Sequence, residues 1–119
     1  MKKKKIVVVD DDREIRELAN YIVEDSLPGA VIRLAENGLE GWQMIMSDKP
    51  DIVITDVNMP LMNGIELLKN IKKTFPDLKV IVATALPEIY QKEIIHLGGM
   101  LLPKPFSYKS LRKILRRLR

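Results

Sequence analysis

Five short aliphatic runs, each followed by a stretch with apolar residues at helical spacing, leave this chain few ways to fold. Ile6-Val7-Val8-Val9, Val31 to Ala35, Ile52-Val53-Ile54, Val80-Ile81-Val82 and Met100 to Leu102 read as strands. Asp12 can cap a helix carrying Ile15, Leu18, Ala19, Ile22 and Val23, which ends at Pro28-Gly29. After the Asn37-Gly38 turn, Leu39, Trp42, Ile45 and Met46 mark one face of a second helix, with Trp42 and Met46 expected in the core. Beyond a loop from Asp56 to Asn63, Ile65, Leu68 and Ile71 point inward on a third helix, stopped near Phe75-Pro76. Pro87 opens a fourth, with Ile89, Ile94 and Leu97, ending at Gly98-Gly99. Ser107 can cap the last, whose stripe is Leu111, Ile114, Leu115 and Leu118. Strands that are apolar throughout are covered on both faces, and helical crossovers between them make the sheet parallel. Right-handed crossovers then select a doubly wound α/β fold, a five-stranded parallel sheet with helices on both faces. The 119 residues are expected to form a single domain, 1–119.

Several function classes drop out on composition. With no cysteine there is no thiol nucleophile, disulfide framework or zinc–thiolate site, and one histidine, His96, excludes a multi-histidine centre. No apolar run reaches the ~20 residues of a membrane span. The basic start leads into only four apolar residues, too few for a secretory signal, so a cytoplasmic protein with no membrane partner is expected. The net charge of +4 hides an uneven distribution. Lys2 to Lys5 carry +4 and the acid-free segment from Ser107 to Arg119 carries +6, while the body between them holds ten bases against sixteen acids. Basic residues at a helix C-terminus complement its dipole, and lysines at a strand start favour solubility, so direct nucleic-acid binding is not the expected use of this charge.

Ligands of such sheets bind beyond the carboxyl ends of the strands. Here those ends carry Asp10, Asp11 and Asp12, then Asp56, then Thr84, then Lys104. Singly each has an ordinary explanation: Asp12 a helix cap, Asp10 or Asp11 a loop acid, Asp56 a turn residue, Thr84 a strand-end hydroxyl bonded to backbone, Lys104 a solvated loop lysine. Together they form one chemical set. Clustered carboxylates repel and call for a cation, and all-oxygen donors favour Mg²⁺ or Mn²⁺. A carboxylate nucleophile, divalent metal, lysine and hydroxyl are the parts of phosphoryl transfer to an aspartate. The chain has no glycine-rich P-loop to bind a nucleotide that way.

The runs Val8-Val9-Asp10-Asp11-Asp12, Asp56-Val57-Asn58-Met59-Pro60-Leu61-Met62-Asn63-Gly64, Thr84-Ala85 and Lys104-Pro105-Phe106, in that order and spacing, resemble the response-regulator receiver domain. This is the CheY-like, flavodoxin-like family of two-component signalling, and the resemblance covers essentially the whole chain. It implies a signalling switch rather than an enzyme, taking part only in its own phosphorylation and dephosphorylation. Asp56 is then the phosphoacceptor. Mg²⁺ (or Mn²⁺) is held by Asp10, Asp11, Asp56 and the Asn58 backbone carbonyl, with Asp11 the more direct ligand of the acidic pair. Lys104 pairs with Asp56 and then with the phosphoryl group, and Thr84 moves toward a phosphoryl oxygen. The donor is a phosphohistidine on a sensor histidine kinase or a histidine phosphotransfer protein, or a small acyl phosphate. The surface of helix 4, strand 5 and helix 5 then meets a downstream effector or a fused output domain of unknown kind. A phosphorylation-dependent homodimer stays open. His96 is expected at the surface, with no phosphocarrier role.

Three positions depart from the family pattern. Leu101 stands where an aromatic switch residue is common, the Gly98–Pro103 segment looks about one residue short, and Leu86 is apolar where polar residues are often seen. Two other functions stay open. A haloacid-dehalogenase-like phosphatase would use Asp10 as nucleophile and Asp12 as acid, but Glu14 occupies the next motif position and the later double-acid motif is missing. A receiver-like interaction module would never be phosphorylated and would fail to bind Mg²⁺. The basic last helix suits an acidic partner patch: charge reversal at Arg112 and Arg116 is expected to weaken partner binding, and unchanged affinity would remove that idea.

Overall fold

In the computed structural model, residues 3–119 are described. The strands β1 (Lys5–Val9), β2 (Val31–Ala35), β3 (Ile52–Asp56), β4 (Lys79–Thr84) and β5 (Met100–Pro103) alternate with α1 (Arg13–Ser26), α2 (Gly38–Ser47), α3 (Gly64–Thr74), α4 (Pro87–His96) and α5 (Tyr108–Leu118). All strand pairs are parallel, in the order β2-β1-β3-β4-β5. The chain therefore reverses its direction of winding at β1, and the crevice beyond β1 and β3 is the topological switch point.

Period-two geometry divides the apolar strands between two cores. Ile6, Val8, Ile54, Ile81, Ala83 and Leu102 face α1 and α5. Val7, Val9, Val53, Val80 and Val82 face α2, α3 and α4. The helix starts are fixed locally. The Asp12 carboxylate accepts from the N–H groups of Glu14 and Ile15, Asn63 and Glu66 form a capping box, and Ser107 and Ser110 form another. Among the described residues, no helix is long and apolar enough to cross a membrane.

The expected elements are all present, but three helices bury different residues from those the periodicity selects. In α2, Gly38, Gly41 and Ile45 are buried, Trp42 and Met44 are partly buried, and Leu39 and Met46 are exposed. The reason is close approach: a Cβ on Gly41 would lie 2.7 Å from Val9 Cγ2, so the helix meets the sheet through this glycine and turns Met46 outward. Trp42 packs against the core cluster, as expected. In α4 only Ile94 is fully buried, and Ile89 is 66% exposed. In α1 the inward face is Ala19, Ile22, Val23 and Ser26, which leaves Leu18 at the shoulder of the helix. His96 is exposed at the end of α4, as expected.

Ile45→Ala should therefore cost about 2–5 kcal/mol in urea unfolding, whereas Met46→Lys and Ile89→Lys should each stay within about 0.5 kcal/mol of the parent.

Candidate functional site at the carboxyl edge of the sheet

The register of the two central strands creates the site. Val9 of β1 lies opposite Thr55 of β3, so the next residue on each strand, Asp10 and Asp56, emerges at the same edge. Both are buried, 3% and 9% exposed, whereas Asp11 is exposed. One carboxylate oxygen from each of Asp10, Asp11 and Asp56 falls within 4.8 Å of the others. Lys104, after β5, reaches back across the edge. Its Nζ lies 3.0 Å from Asp10 Oδ2 and 3.3 Å from Asp56 Oδ1. The expected Lys104–Asp56 pair is present, but the shorter contact is to Asp10.

Each carboxylate is oriented by backbone. Asp10 Oδ1 accepts from the Asp12 N–H at 2.9 Å, and Asp56 Oδ1 accepts from the Val57 N–H at 2.9 Å. Arg16 donates to the Asp10 carbonyl at 2.8 Å and lies 3.6 Å from Glu36. Sequence reasoning missed Arg16, because a lone basic residue between Ile15 and Glu17 carries no pattern. It also missed why Gly64 ends its motif: a Cβ there would lie 2.0 Å from the Asp56 carbonyl oxygen, so the backbone of α3 packs directly on Asp56. Asp12 is a helix cap, the ordinary explanation given above.

Thr84 ends β4 and is buried. Its Oγ1 accepts from the Leu86 N–H at 3.0 Å, and its carbonyl accepts from the Lys104 N–H at 2.8 Å. Thr84 and Lys104 are thereby clipped together through backbone. Leu86 is the N-cap residue of α4 and is exposed. Asn58 sits exposed in the loop after β3. In the same loop Leu61 adopts φ 71°, a left-handed conformation that leucine rarely takes. Leu101 is half-buried in β5, opposite Val82, and packs on the α2-α3-α4 side of the sheet. The short segment before it turns at Gly98, φ +87°.

Burial pushes the Asp56 carboxyl above the usual carboxylate range. The Lys104 charge pulls it down, the Asp10 charge adds to the rise, and the hydrogen bonds from Lys104 and Val57 restrain it. Burial works against the Lys104 charge, but Asp10 and Asp56 outweigh it and hold the ammonium above its ordinary value. Three carboxylates against one ammonium leave an excess of two negative charges. Hard oxygen donors, with Asp11 open to solvent, fit a divalent ion such as Mg²⁺ or Mn²⁺ that keeps part of its water.

The chain is similar to known proteins along most of its length. A family model described as the response regulator receiver domain matches residues 6–116. Response regulator MprA of Mycobacterium ulcerans is 37% identical over 95% of the chain, and MprA of Mycobacterium avium is similar to the same degree. The chain spans about half the length of these curated relatives, 50% and 51%. Among solved structures, the chemotaxis response regulator CheY4 of Vibrio cholerae superposes with a TM-score of 0.88 at 29% identity, covering 99% of this chain and 100% of that one. The N-terminal domain of protein WS1339 from Wolinella succinogenes gives 0.87 at 35% identity, covering 98% and 94%.

A buried carboxylate whose pKa is raised by folding lowers stability wherever it is ionised. Without divalent metal, Asp56→Asn should raise Tm at pH 7 by on the order of 5 °C. The gap should narrow as pH falls through the raised pKa of Asp56 and vanish below the unfolded value of about 3.9. Thermal melts of both proteins between pH 3 and pH 8 in EDTA check this.

Proposed function

The chain belongs to the response regulator receiver domain family of two-component signalling, and from that premise we propose that Asp56 accepts a phosphoryl group from a phosphohistidine on a partner kinase or phosphotransfer protein. The observation that carries this reading is the convergence of Asp10, Asp11 and Asp56 with Lys104 at one sheet edge. An Asp56 oxygen forms the new O–P bond while the N–P bond of the donor breaks, and the imidazole leaves with the electron pair and takes up a proton. Asp10, Asp11, Asp56 and the Asn58 carbonyl would hold Mg²⁺ (or Mn²⁺), which supplies positive charge where phosphoryl oxygens gather negative charge.

The chain's own residues do the rest. Lys104 is already within ion-pair reach of Asp56 and is placed to follow charge from the carboxylate to the phosphoryl group. The Thr84 hydroxyl would turn from the Leu86 N–H to donate to a phosphoryl oxygen. Since Lys104 is bonded to the Thr84 carbonyl, a shift of either loop pulls on the other, and the surface of α4, β5 and α5 repacks. Leu101, aliphatic and half-buried, leaves this repacking without an aromatic rotamer switch. The protein is on this reading a cytoplasmic switch, not an enzyme acting on a separate substrate, and its output partner is an effector or a fused domain.

The phosphatase-like alternative needs Asp10 free to attack and Asp12 free to move protons. Asp10 has one oxygen on the Asp12 N–H and the other on Lys104, and Asp12 is committed to capping α1. Both facts favour Asp56. Intact mass after incubation with acetyl phosphate and Mg²⁺ tests the assignment. One phosphoryl adduct is expected on the parent and none on Asp56→Asn. An adduct that survives in Asp56→Asn and is lost in Asp10→Asn would establish the alternative, and absence of both phosphorylation and Mg²⁺ binding would mark a binding module.

A further inference from the structure

The cations of this chain are placed in two ways. Lys3, Lys4 and Arg119 gather at the edge of the sheet opposite the carboxylates, around one surface groove. Lys104 and Arg16 are turned into the acidic edge, with side chains only 16% and 12% exposed. Lys104 meets carboxylate oxygens of Asp10 and Asp56. Arg16 meets backbone instead. Its Nη1 donates to the Asp10 carbonyl at 2.8 Å, and its Nη2 lies 3.6 Å from Oε1 of Glu36, the residue after β2. Arg13, three residues earlier on α1, is 82% exposed and makes an ordinary surface pair with Glu17. Withdrawing a guanidinium from water is costly, and one carbonyl with one long, largely exposed ion pair offsets little of that cost.

The Asp10 carbonyl belongs to the peptide that leads into Asp11. Asp11 is the exposed member of the acidic cluster, and no hydrogen bond or ion pair from the described residues holds its carboxylate. Its approach to within 4.8 Å of Asp10 and Asp56 is therefore set by the backbone that carries it. Three bonds tie that backbone down. The Asp10 N–H donates to the Ala35 carbonyl at 3.1 Å, the Asp12 N–H donates to Asp10 Oδ1 at 2.9 Å, and Arg16 donates to the Asp10 carbonyl. Of these, only the Arg16 bond acts on the peptide between Asp10 and Asp11.

We infer that Arg16 is a positioning residue for the divalent ion: by fixing the Asp10–Asp11 peptide it holds the Asp11 carboxylate beside those of Asp10 and Asp56. The inference rests on the reading of these three acids as a metal site, and it assigns the residue that keeps that site assembled. Because the guanidinium bonds to a carbonyl, it occupies no carboxylate oxygen that the ion needs. Its own positive charge opposes a bound cation, so its geometric and electrostatic effects on metal affinity have opposite signs. That opposition makes the two roles separable.

The test is titration of the chain with Mn²⁺, followed by the paramagnetic resonance signal of the free ion, with Tm measured in EDTA alongside. Arg16→Met removes the donors and the charge and keeps an apolar stem. Mn²⁺ binding to it should be weaker by about tenfold or more, the scale seen when a partner that orients a metal ligand is lost. A role as charge alone would tighten binding instead, and a role in the fold alone would lower Tm with affinity unchanged. Arg16→Lys keeps the charge, but a single ammonium cannot span both the carbonyl and Glu36, so binding about threefold weaker than the parent is expected. Should Arg16→Met fail to fold in EDTA, Arg16→Lys decides alone. Parent-like or tighter Mn²⁺ binding in the deciding variant overturns the inference and leaves the metal site standing. A parent that binds no Mn²⁺ overturns the metal site itself, and the role of Arg16 with it.

Discussion

Two carboxylates buried side by side, with one ammonium shared between them, set the terms on which this molecule holds together. Asp10 and Asp56 close adjacent central strands, so their repulsion acts across the middle of the sheet and close to backbone that cannot move apart. The ammonium that offsets it comes from the far end of the chain, on the segment that joins the edge strand β5 to α5. One electrostatic demand therefore ties the centre of the sheet to its edge. The backbone bond from Lys104 to Thr84 carries the same tie into β4. The charge balance is left incomplete, with Asp56 held above its ordinary pKa, so adding a cation or changing the charge on Asp56 alters forces on several elements at once.

Charge is sorted along the strand axis as well. The acidic edge and the basic edge are separated by the length of the strands, with neutral core between. A net charge of +4 describes neither end. Each pole presents its own field to solvent, so approach of a charged partner is oriented as well as attracted.

Much of the architecture was legible because its determinants are local. Apolar strand runs, Asp12 and Ser107 as caps, and Pro87 at a helix start each act within a few residues. The strand-end acids were legible because one topological rule places all strand ends together. What the sequence hid depends on contact across the fold. Periodicity weighs side chains by their own hydrophobicity, so it put Met46 in the core, whereas the helix approaches the sheet through Gly41 and the Met62 backbone through Gly38, which carry no side-chain signal. The shorter Lys104 contact to Asp10 is a matter of tenths of an ångström between side chains 94 residues apart in sequence. Nothing in the residues around Ser26 marks a hydroxyl that has no hydrogen-bond partner among the described residues.

The register between β1 and β3 has a consequence for how such a chain can change over generations. One residue inserted within β1 would exchange the two apolar faces, turning Val7 and Val9 toward α1 and α5, and would carry Asp10 away from Asp56. At the carboxyl edge length is fixed nearly as tightly, since the backbone at Gly64 lies against the Asp56 carbonyl and that at Gly38 against the Met62 carbonyl. The turns at the other edge, such as Asp48 to Asp51 between α2 and β3, touch none of these contacts. Changes in chain length are therefore expected to be tolerated less at the carboxyl rim, where backbone meets backbone, than at the other rim, where the Asp48–Asp51 turn is held by hydrogen bonds to Lys5 and Arg33 that can re-form.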